Sequence, residues 1–224
     1  MCGRFAQQRP SSELAEIFDA DDLADDPGAR YNVAPTDDAL VVVQREDRRA
    51  VTRYRWGFIP HWATDRRVGS RQINARGERL AASPVFREAF RRRRCVVPVD
   101  AFYEWRRTDG ARQPYRIARV DGLPIPLAGL WAGWRDPETD QVVRTFTIVT
   151  TTPNGAIGQI HDRMPVVLSD DTWRRWIDLE LPDVGELHGL IVPAPDGLLI
   201  AHPVSTLVNN VRNDGPMLLE PIEL

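Results

Sequence analysis

The sequence predicts an α+β fold, with a mostly antiparallel, curved or barrel-like β-sheet core flanked by a few helices. Two observations support this prediction. Many apolar segments rich in β-branched and aromatic residues follow one another with few helical stretches between them, and Gly, Pro and Asp separate them. The 224 residues contain no repeat and no low-complexity linker, so we expect a single domain over residues 1–224.

The first half of the chain mixes helix and strand signals. SSELAEIF predicts a short helix capped by Ser11 or Ser12. ALVVVQR and AVTRYRWGF predict the two strands of a hairpin around the charged turn REDRR. SPVFREAFRRRR predicts a helix with Ser83 as N-cap and Pro84 at its first helical position, because its apolar residues recur at helical spacing.

The second half is dominated by strand signals. Four β-rich segments follow one another: CVVPVDAFYEW, QPYRIARV, PIPLAGLWAGW and VVRTFTIVTTT. SDDTWRRWIDL then predicts a second capped helix, GELHGLIV a further helix, and LLIAHPVS a final strand. Sequential strands with few intervening helices favour antiparallel pairing.

The composition excludes several classes of protein. Hydrophobic content of 42% and charged content of 27% are ordinary for a soluble globular protein. We find no apolar run of about 20 residues and no signal-peptide pattern, so we expect no membrane contact and a cytoplasmic location. Cys2 and Cys95 are too few for a disulfide scaffold. The four dispersed histidines lack metal-ligand spacing, so we expect no metal and no cofactor.

The charge is distributed unevenly. The formal net charge is -3, yet the stretch from Arg53 to Arg119 holds 17 arginines against six acidic residues. The rest of the chain holds 12 arginines against 26 acidic residues, including the run from Asp19 to Asp26. Such a basic block is either a solvated face or the electrostatic footprint of a site for a polyanion.

The sequence contains no lysine, and all 29 basic residues are arginine. Imine chemistry needs a primary amine, which proteins usually supply from a lysine side chain. The only primary amine that this chain offers is therefore the one at its N-terminus.

The chain begins MCGRFAQQ, which places a cysteine directly after the initiator methionine. Removal of Met1 would give Cys2 a free α-amine beside its thiol. With reference pKa values near 7.7–8.0 for the amine and about 8.5 for the thiol, both groups would be partly reactive near neutral pH. The alternative is an early cysteine without function.

Three further segments could carry chemistry. WGFIPHW and the following INARGE offer Trp62 as a stacking surface, Asn74 as an amide donor and acceptor, and Arg76 as an anion-binding fork. We expect the other tryptophan of this segment, Trp56, to lie in the core. DAFYEW places Glu104 among aromatic residues on a predicted strand, where desolvation would raise its pKa, unless it pairs with an arginine.

The third segment, IHDRMP, places His161 in a loop as a possible acid or base and Arg163 as a possible phosphate ligand. Each of these signals is weak alone, and their combination is far more specific.

The combination resembles the SOS response-associated peptidase (SRAP) family. The matching segments are MCGRFAQ, RYNVAPT, WGFIPHW, INARGE, CVVPVDAFYEW, GLWAGW, TIVTTTPN, IHDRMPVVL and HPVSTLVNNVRNDGP. The resemblance implies a single α+β domain that senses abasic sites in single-stranded DNA and bonds covalently to the sugar aldehyde through its N-terminal cysteine. We expect a monomer that acts on the nucleoid when DNA is damaged.

The family's functional residues fall on Cys2, Asn74, Glu104 and His161. The expected DNA contacts are Arg4, Pro35, Trp62, Arg76, Trp105 and Arg163. A second tryptophan of the DNA wedge, present in some members, falls on Ala63 here, which leaves Trp62 and Pro35 to form the wedge.

The resemblance and the residues imply the same chemistry. The α-amine of Cys2 attacks the ring-opened aldehyde to give an imine, and the thiol then closes a five-membered thiazolidine. Glu104 would shuttle protons, His161 would assist at the sugar hydroxyl or orient the imine, and Asn74 would position the terminus and the sugar. Arg4, Arg76 and Arg163 would hold flanking phosphates.

Three alternatives belong to other classes. Met-Cys-Gly also opens glutamine amidotransferases, in which the cysteine attacks an amide carbonyl. A thiol peptidase could use Cys2, His161 and Glu104, with excision of Met1 as its only event. A non-enzymatic module would bind single-stranded DNA without a covalent product.

Overall fold

The computed structural model describes residues 2–108, 110–180 and 183–223, and β-strands make up most of its regular structure. The strands are β1 Arg4–Gln7, β2 Asp21–Asp22, β3 Arg30–Val33, β4 Asp38–Arg45, β5 Arg48–Trp56, β6 Asn74–Arg76, β7 Arg94–Val99, β8 Ala101–Thr108, β9 Ala111–Arg119, β10 Ile125–Arg135, β11 Val142–Thr151, β12 Met164–Pro165 and β13 Leu199–Pro203. The α-helices are α1 Ser11–Phe18, α2 Arg87–Arg92, α3 Gly155–Gly158, α4 Thr172–Ile177 and α5 Val184–Gly189. Short 3₁₀ helices occupy Arg66–Arg71, Gly77–Arg79, Thr206–Asn209 and Pro216–Leu219.

Five strands close into a barrel. The pairs β11–β10, β10–β7, β7–β4 and β4–β5 are antiparallel, and β5 pairs with β11 in parallel. A ring with an odd number of strands cannot alternate in direction all the way round, so one seam must be parallel. That seam joins Arg55 and Trp56 to Thr145 and Phe146, and β6 continues it by pairing in parallel with β11.

A second sheet of five strands, in the order β13-β9-β8-β1-β3, is antiparallel throughout. The barrel and this sheet together confirm the predicted α+β class with a mostly antiparallel, barrel-like core. Among the described residues, no helix is long and apolar enough to cross a membrane.

Alternation along β4 shows how the two sides of the barrel wall are used. Leu40 and Val42 belong to a core that includes Phe18, Phe90 and Trp176 from the helices. Val41 and Val43 belong to a second core, which also contains Phe5 and Phe102 from the five-stranded sheet. The period of two in a strand therefore gives the barrel two buried faces, which explains why ALVVVQR is continuously apolar.

Several predicted elements are confirmed. The hairpin forms as β4 and β5, with Arg45 opposite Arg48 at its turn. The segment CVVPVDAFYEW divides into two strands at Asp100, whose Oδ2 accepts the backbone N–H groups of Gln8 and Arg9 at 2.5 and 3.3 Å. The last two predicted helices and the final strand are present as α4, α5 and β13.

The predicted serine caps are wrong. Ser11 is the first residue of α1 and is buried; its N–H donates to Asp26 Oδ2 and its hydroxyl to Asp22 Oδ2, both at 2.8 Å. Two carboxylates of the acidic run after the helix thus accept the hydrogen bonds at the start of α1. Ser83 stabilises a turn by accepting the Val85 N–H at 3.3 Å, and α2 begins only at Arg87.

Candidate active site at the N-terminal cysteine

Strand β1 carries Cys2 into the second core. β1 lies between β3 and β8, with Phe5 opposite both Val33 and Phe102. Cys2 precedes the strand by two residues and has no exposed surface. Its Sγ lies 3.7 Å from the carbonyl oxygen of Arg4, where a thiol donates a weak hydrogen bond.

Burial raises the pKa of the Cys2 thiol well above its usual range, and the nearby charge of Glu104 raises it further. The expectation of a thiol partly activated without help is therefore wrong. The sulfur is a neutral thiol at neutral pH and needs a base before it can act as a nucleophile.

Asn74 fixes the backbone of Cys2. Strand β6 places it beside Ile148 of β11, and its Nδ2 donates to the carbonyl oxygen of Cys2 at 2.8 Å. Its Oδ1 is buried and accepts no hydrogen bond from the described residues. An amide held in this way leaves one acceptor available beside the chain terminus.

Glu104 lies on the same face of β8 as Phe102, as strand alternation predicts, and only 1% of its surface is exposed. Desolvation raises the pKa of its carboxyl group to about 7. The raised pKa argues against the alternative that an arginine neutralises this carboxylate. The group can both donate and accept a proton near neutral pH.

His161 follows α3 and faces Glu104, with Nε2 4.0 Å from the Glu104 Oε2. Its Nδ1 accepts the backbone N–H of Arg163 at 3.0 Å, so we assign the mobile proton to Nε2, on the side of Glu104. Desolvation lowers the pKa of the imidazole, although the Asp162 carboxylate, 2.9 Å from Nδ1, opposes that shift. About a quarter of the side chain is exposed, so His161 lies at the mouth of the site.

The three expected phosphate ligands differ in availability. Arg76, at the end of β6, is exposed. Arg4 donates from Nη1 to Asn32 Oδ1 and to the Val208 carbonyl at 3.0 and 2.9 Å. Arg163 forms a two-pronged ion pair with Glu78 at 2.6 and 3.0 Å, with only 14% of its side chain exposed. Of these three arginines, Arg76 is the most accessible to a ligand.

The expected wedge residues are near the surface. Trp62 is 57% exposed, and Pro35 is half-buried. Ala63 is buried, and its carbonyl accepts the Trp134 Nε1–H at 2.6 Å. Trp105 is half-buried and donates from Nε1 to Asn209 Oδ1 at 2.7 Å.

Trp56 lies in the core as predicted. It is fully buried, donates to the Ile73 carbonyl at 2.9 Å, and contacts the rings of Phe5 and Phe146. The structure therefore assigns the two tryptophans of WGFIPHW to different environments.

Sequence reasoning did not select Arg106 and Arg107, which line a groove together with Trp105 and His161. The Arg106 guanidinium lies 5.1 Å from the centre of the Tyr115 ring, and Arg107 is exposed. The Arg107 charge contributes to the lowered pKa of His161. Their position directly after Glu104 and Trp105 on a predicted strand was the signal that could have identified them.

The described residues contain no group of three or more His, Cys, Asp and Glu side chains that could hold a metal ion. What the arrangement offers is a buried nucleophile, a carboxyl group that titrates near neutrality, an imidazole and an amide. This set can transfer protons to and from a ligand that reaches Cys2.

Comparisons with known proteins identify the family of the chain. The profile of the family described as SOS response associated peptidase (SRAP) matches residues 1–211. The chain is 37% identical to the abasic site processing protein YoqW of Bacillus subtilis (strain 168), over 98% of this chain and 99% of that protein. It is 34% identical to the abasic site processing protein YedK of Escherichia coli (strain K12), over 99% and 100% of the two chains.

A more distant relative is the abasic site processing protein HMCES of Gallus gallus, which is 30% identical over 87% of this chain and 66% of that protein. A crystal structure of a protein from Bacteroides thetaiotaomicron has the same fold, with a TM-score of 0.90 at 22% identity over 99% of this chain. The chain therefore belongs to the SOS response-associated peptidase (SRAP) family.

Proposed function

We propose that this protein senses abasic sites in single-stranded DNA and forms a covalent DNA–protein crosslink through Cys2 after Met1 is removed. The relatives named above are abasic site processing proteins. The observation that carries the proposal is the Asn74 hydrogen bond to the Cys2 backbone, 2.8 Å long, beside a Glu104 carboxyl group with a pKa of about 7. Removal of Met1 would make Cys2 an N-terminal aminothiol next to this proton donor.

The first step forms an imine. The α-amine of Cys2 attacks the aldehyde carbon of the ring-opened sugar, and the resulting carbinolamine loses one water molecule. Protonated Glu104 donates the proton that the departing hydroxyl group needs, while the Asn74 Oδ1 accepts a hydrogen bond from the attacking nitrogen. Because the chain has no lysine, no side chain competes for the aldehyde.

The second step closes the ring. The Cys2 sulfur attacks the imine carbon, the thiol proton passes to the Glu104 carboxylate, and the imine nitrogen takes up a proton to become the ring amine. The product is a thiazolidine, and one water molecule is released overall. Since burial keeps the thiol neutral, the proton transfer to Glu104 is what makes the sulfur nucleophilic.

The DNA strand is held by stacking and by charge. Arg76 and Arg107 are exposed, and they suit flanking phosphates. Trp62 and Trp105 offer ring faces to bases, with Pro35 beside the strand. Arg4 and Arg163 keep part of their hydrogen-bonding capacity for the protein and therefore bind phosphate with their remaining donors.

We propose that the same site carries out a limited peptidase reaction. Excision of Met1 breaks the peptide bond directly before Cys2, within reach of the residues that act on its nitrogen. We propose that any self-processing is confined to this bond. Intact mass measurement of Cys2→Ala and Glu104→Gln proteins, alongside the wild type, checks this: retained Met1 in the variants alone indicates self-processing.

Intact mass spectrometry with abasic single-stranded DNA tests the crosslink. We expect a mature chain that starts at Cys2 and a stable adduct whose mass is that of this chain plus the DNA less one water. Formylating or extending the N-terminus should abolish the adduct, because no other primary amine exists. Full adduct yield on a blocked N-terminus, or active protein that retains Met1, would contradict the mechanism.

A further inference from the structure

We propose that a cavity beside Trp62 binds one unpaired nucleobase of the DNA strand, with a preference for bases that carry an exocyclic amine. The inference rests on the proposed function, since it adds a second subsite for the same DNA. Nothing in the chemistry at Cys2 requires this cavity, so the two proposals can fail separately.

The cavity lies between the loop after β5 and helix α2, and its volume is about 150 Å³. Its apolar walls include Phe58, Pro84 and Val85. Pockets for drug-sized ligands measure roughly 300–1,000 Å³, so this space is too small for a whole nucleotide. It suits a single flat ring system inserted edge-on.

Trp62 forms one side of the cavity and is 57% exposed. A large aromatic ring that faces both solvent and a cavity is a stacking platform, because every nucleobase presents a π-face to it. The backbone N–H of Phe58 donates to the Gln72 carbonyl at 3.1 Å, which ties this loop to the segment that enters β6 at Asn74. The cavity is thereby connected to the strand that positions Cys2.

The polar wall of the cavity contains His61, Glu88 and Arg93. Glu88 is ion-paired with Arg93 through Oε1, while its Oε2 lies 3.9 Å from His61 Nδ1. The carboxylate accepts hydrogen bonds and cannot donate them. The Glu88 side chain is half-exposed, and its Oε2 can accept a hydrogen bond from an exocyclic N–H₂ group, which adenine, cytosine and guanine have and thymine lacks.

The surroundings suit the backbone of such a nucleotide. Helix α2 presents Arg87, Arg91 and Arg92 to solvent, and Arg87 also lines the cavity. The positive side chain of Arg87 at the cavity matches a phosphate beside an inserted base. A peptide ligand would not require this positive charge, so the observations favour DNA.

The test uses single-stranded oligonucleotides with a central tetrahydrofuran, an abasic analogue that cannot form an imine. Each flanking position in turn carries dC or dT, two pyrimidines of similar size that differ in the amine. At one position we expect wild-type protein to bind the dC strand about tenfold more tightly, the usual effect of one hydrogen bond to a charged group. Glu88→Gln should reduce that ratio to about twofold or less.

Glu186→Gln is the matched control, because Glu186 is also a half-exposed helical residue paired with an arginine, Arg175. It should leave the ratio at the wild-type value. As a second measurement, 2-aminopurine at the selected position should lose fluorescence on binding, and Trp62→Ala should restore it.

A dC to dT ratio below about twofold at every position would overturn the proposal, as would a ratio that Glu88→Gln leaves intact. Crosslinking to a true abasic strand, measured in parallel, keeps the proposals distinct. Crosslinking without base preference removes only the cavity site, whereas base preference without crosslinking removes only the Cys2 chemistry.

Discussion

The fold keeps the Cys2 thiol unreactive and places a group that can accept its proton, the Glu104 carboxyl group, beside it. The thiol has no exposed surface and a raised pKa, so it resists the oxidation and side reactions that an exposed thiolate would undergo. The carboxyl group beside it has a pKa of about 7 and can remove the thiol proton when a ligand arrives. The Cys2 thiol thus becomes a nucleophile only when the imine carbon of a bound ligand is present.

Glu104→Gln should separate binding from chemistry. The amide keeps the shape but cannot transfer a proton, so crosslinking and its reversal should slow by roughly 10–10³-fold. Affinity for a tetrahydrofuran strand should change little. Rates from quenched gel assays and affinities from fluorescence anisotropy provide the comparison; equal crosslinking rates in both proteins would leave His161 as the main proton carrier.

The pH dependence of crosslinking should be bell-shaped in the wild type. The neutral fraction of the α-amine rises with pH up to about 8, whereas the protonated fraction of Glu104 falls as pH rises through about 7. The maximum should therefore lie between these values. Glu104→Gln should lose the falling limb, and a falling limb that persists in this variant would assign it to another group.

The charged form of Glu104 should also destabilise the folded protein at high pH. Its folded pKa of about 7 is above the unfolded value of 4.5, so the folded state binds more protons between these values and stability falls as pH rises through this window. Removing the charge should then raise the free energy of unfolding by on the order of 3 kcal/mol at pH 8. We expect Glu104→Gln to raise the Tm by several degrees at pH 8 and hardly at pH 4.

Exposed Glu186→Gln is the control for this measurement and should give no pH-dependent difference in Tm. Equal stabilisation of Glu104→Gln at both pH values would show that packing, rather than desolvation of the charge, explains the effect.

At the residue scale, the sequence was sufficient to select Cys2, Asn74, Glu104 and His161 as candidates, and the structure brings them together. It could not predict that the Cys2 thiol is buried, because that depends on a core to which other strands contribute, such as β8 with Phe102 and β11 with Phe146. Residues near a chain terminus are often exposed, and here tertiary packing buries one of them.

At the element scale, prediction succeeded where local and tertiary signals agree. The hairpin β4–β5 follows from two apolar segments rich in β-branched residues around a charged turn. The cap at Ser11 failed because a distant residue, Asp26, accepts the N–H at the helix start in place of a local side chain. The cap at Ser83 failed because this serine closes a turn and α2 begins only at Arg87. The parallel seam between β5 and β11 also escaped prediction, since barrel closure depends on strand number rather than on any one segment.

The loop that carries Trp62 depends on a close approach of two glycines. A Cβ at Gly69 would lie 2.6 Å from the Gly57 carbonyl oxygen and 2.9 Å from Ile59 Cγ1. Gly69→Ala must therefore displace the backbone on one side, and we expect it to lower the free energy of unfolding by about 1–3 kcal/mol. Affinity for single-stranded DNA should fall as well, because the shift moves Trp62.

Gly189→Ala is the matched control, since a Cβ at this helical position would meet nothing within 4 Å. Its stability should stay within about 0.5 kcal/mol of the wild type. Urea unfolding of both variants provides the measurement, and equal midpoints would show that the Gly57–Gly69 approach is not a constraint.

At the scale of the whole molecule, the basic block is only partly available to DNA. Arg94 is 1% exposed and donates to the carbonyl oxygens of Phe90 and Trp176, and the latter contact is short. Burial lowers its pKa to about 10. Some of the 17 arginines that suggested a polyanion site therefore hold helices against the barrel, and counting charges along the sequence overestimates the binding surface.

The exposed part of the block should set the salt dependence of binding. Arg66, Arg71, Arg76 and Arg79 are exposed, and each phosphate neutralised on a single strand contributes about -0.7 to the slope of log K against log salt. Roughly three to five contacts would give a slope between about -2 and -4 for a tetrahydrofuran strand. Arg76→Ala should make the slope shallower by about 0.7 and weaken binding to all sequences alike.

Arg48→Ala is the control for this measurement. Arg48 is also exposed, at 73%, but lies outside the block and faces Asp21 at 3.5 Å. Its removal should leave the slope unchanged, because a Debye length of about 8 Å at physiological ionic strength screens it from a distant strand. Equal changes for the two variants would mean that net charge drives the association. A slope near zero in the wild type would remove the nucleic-acid role altogether and favour a small amide substrate at Cys2.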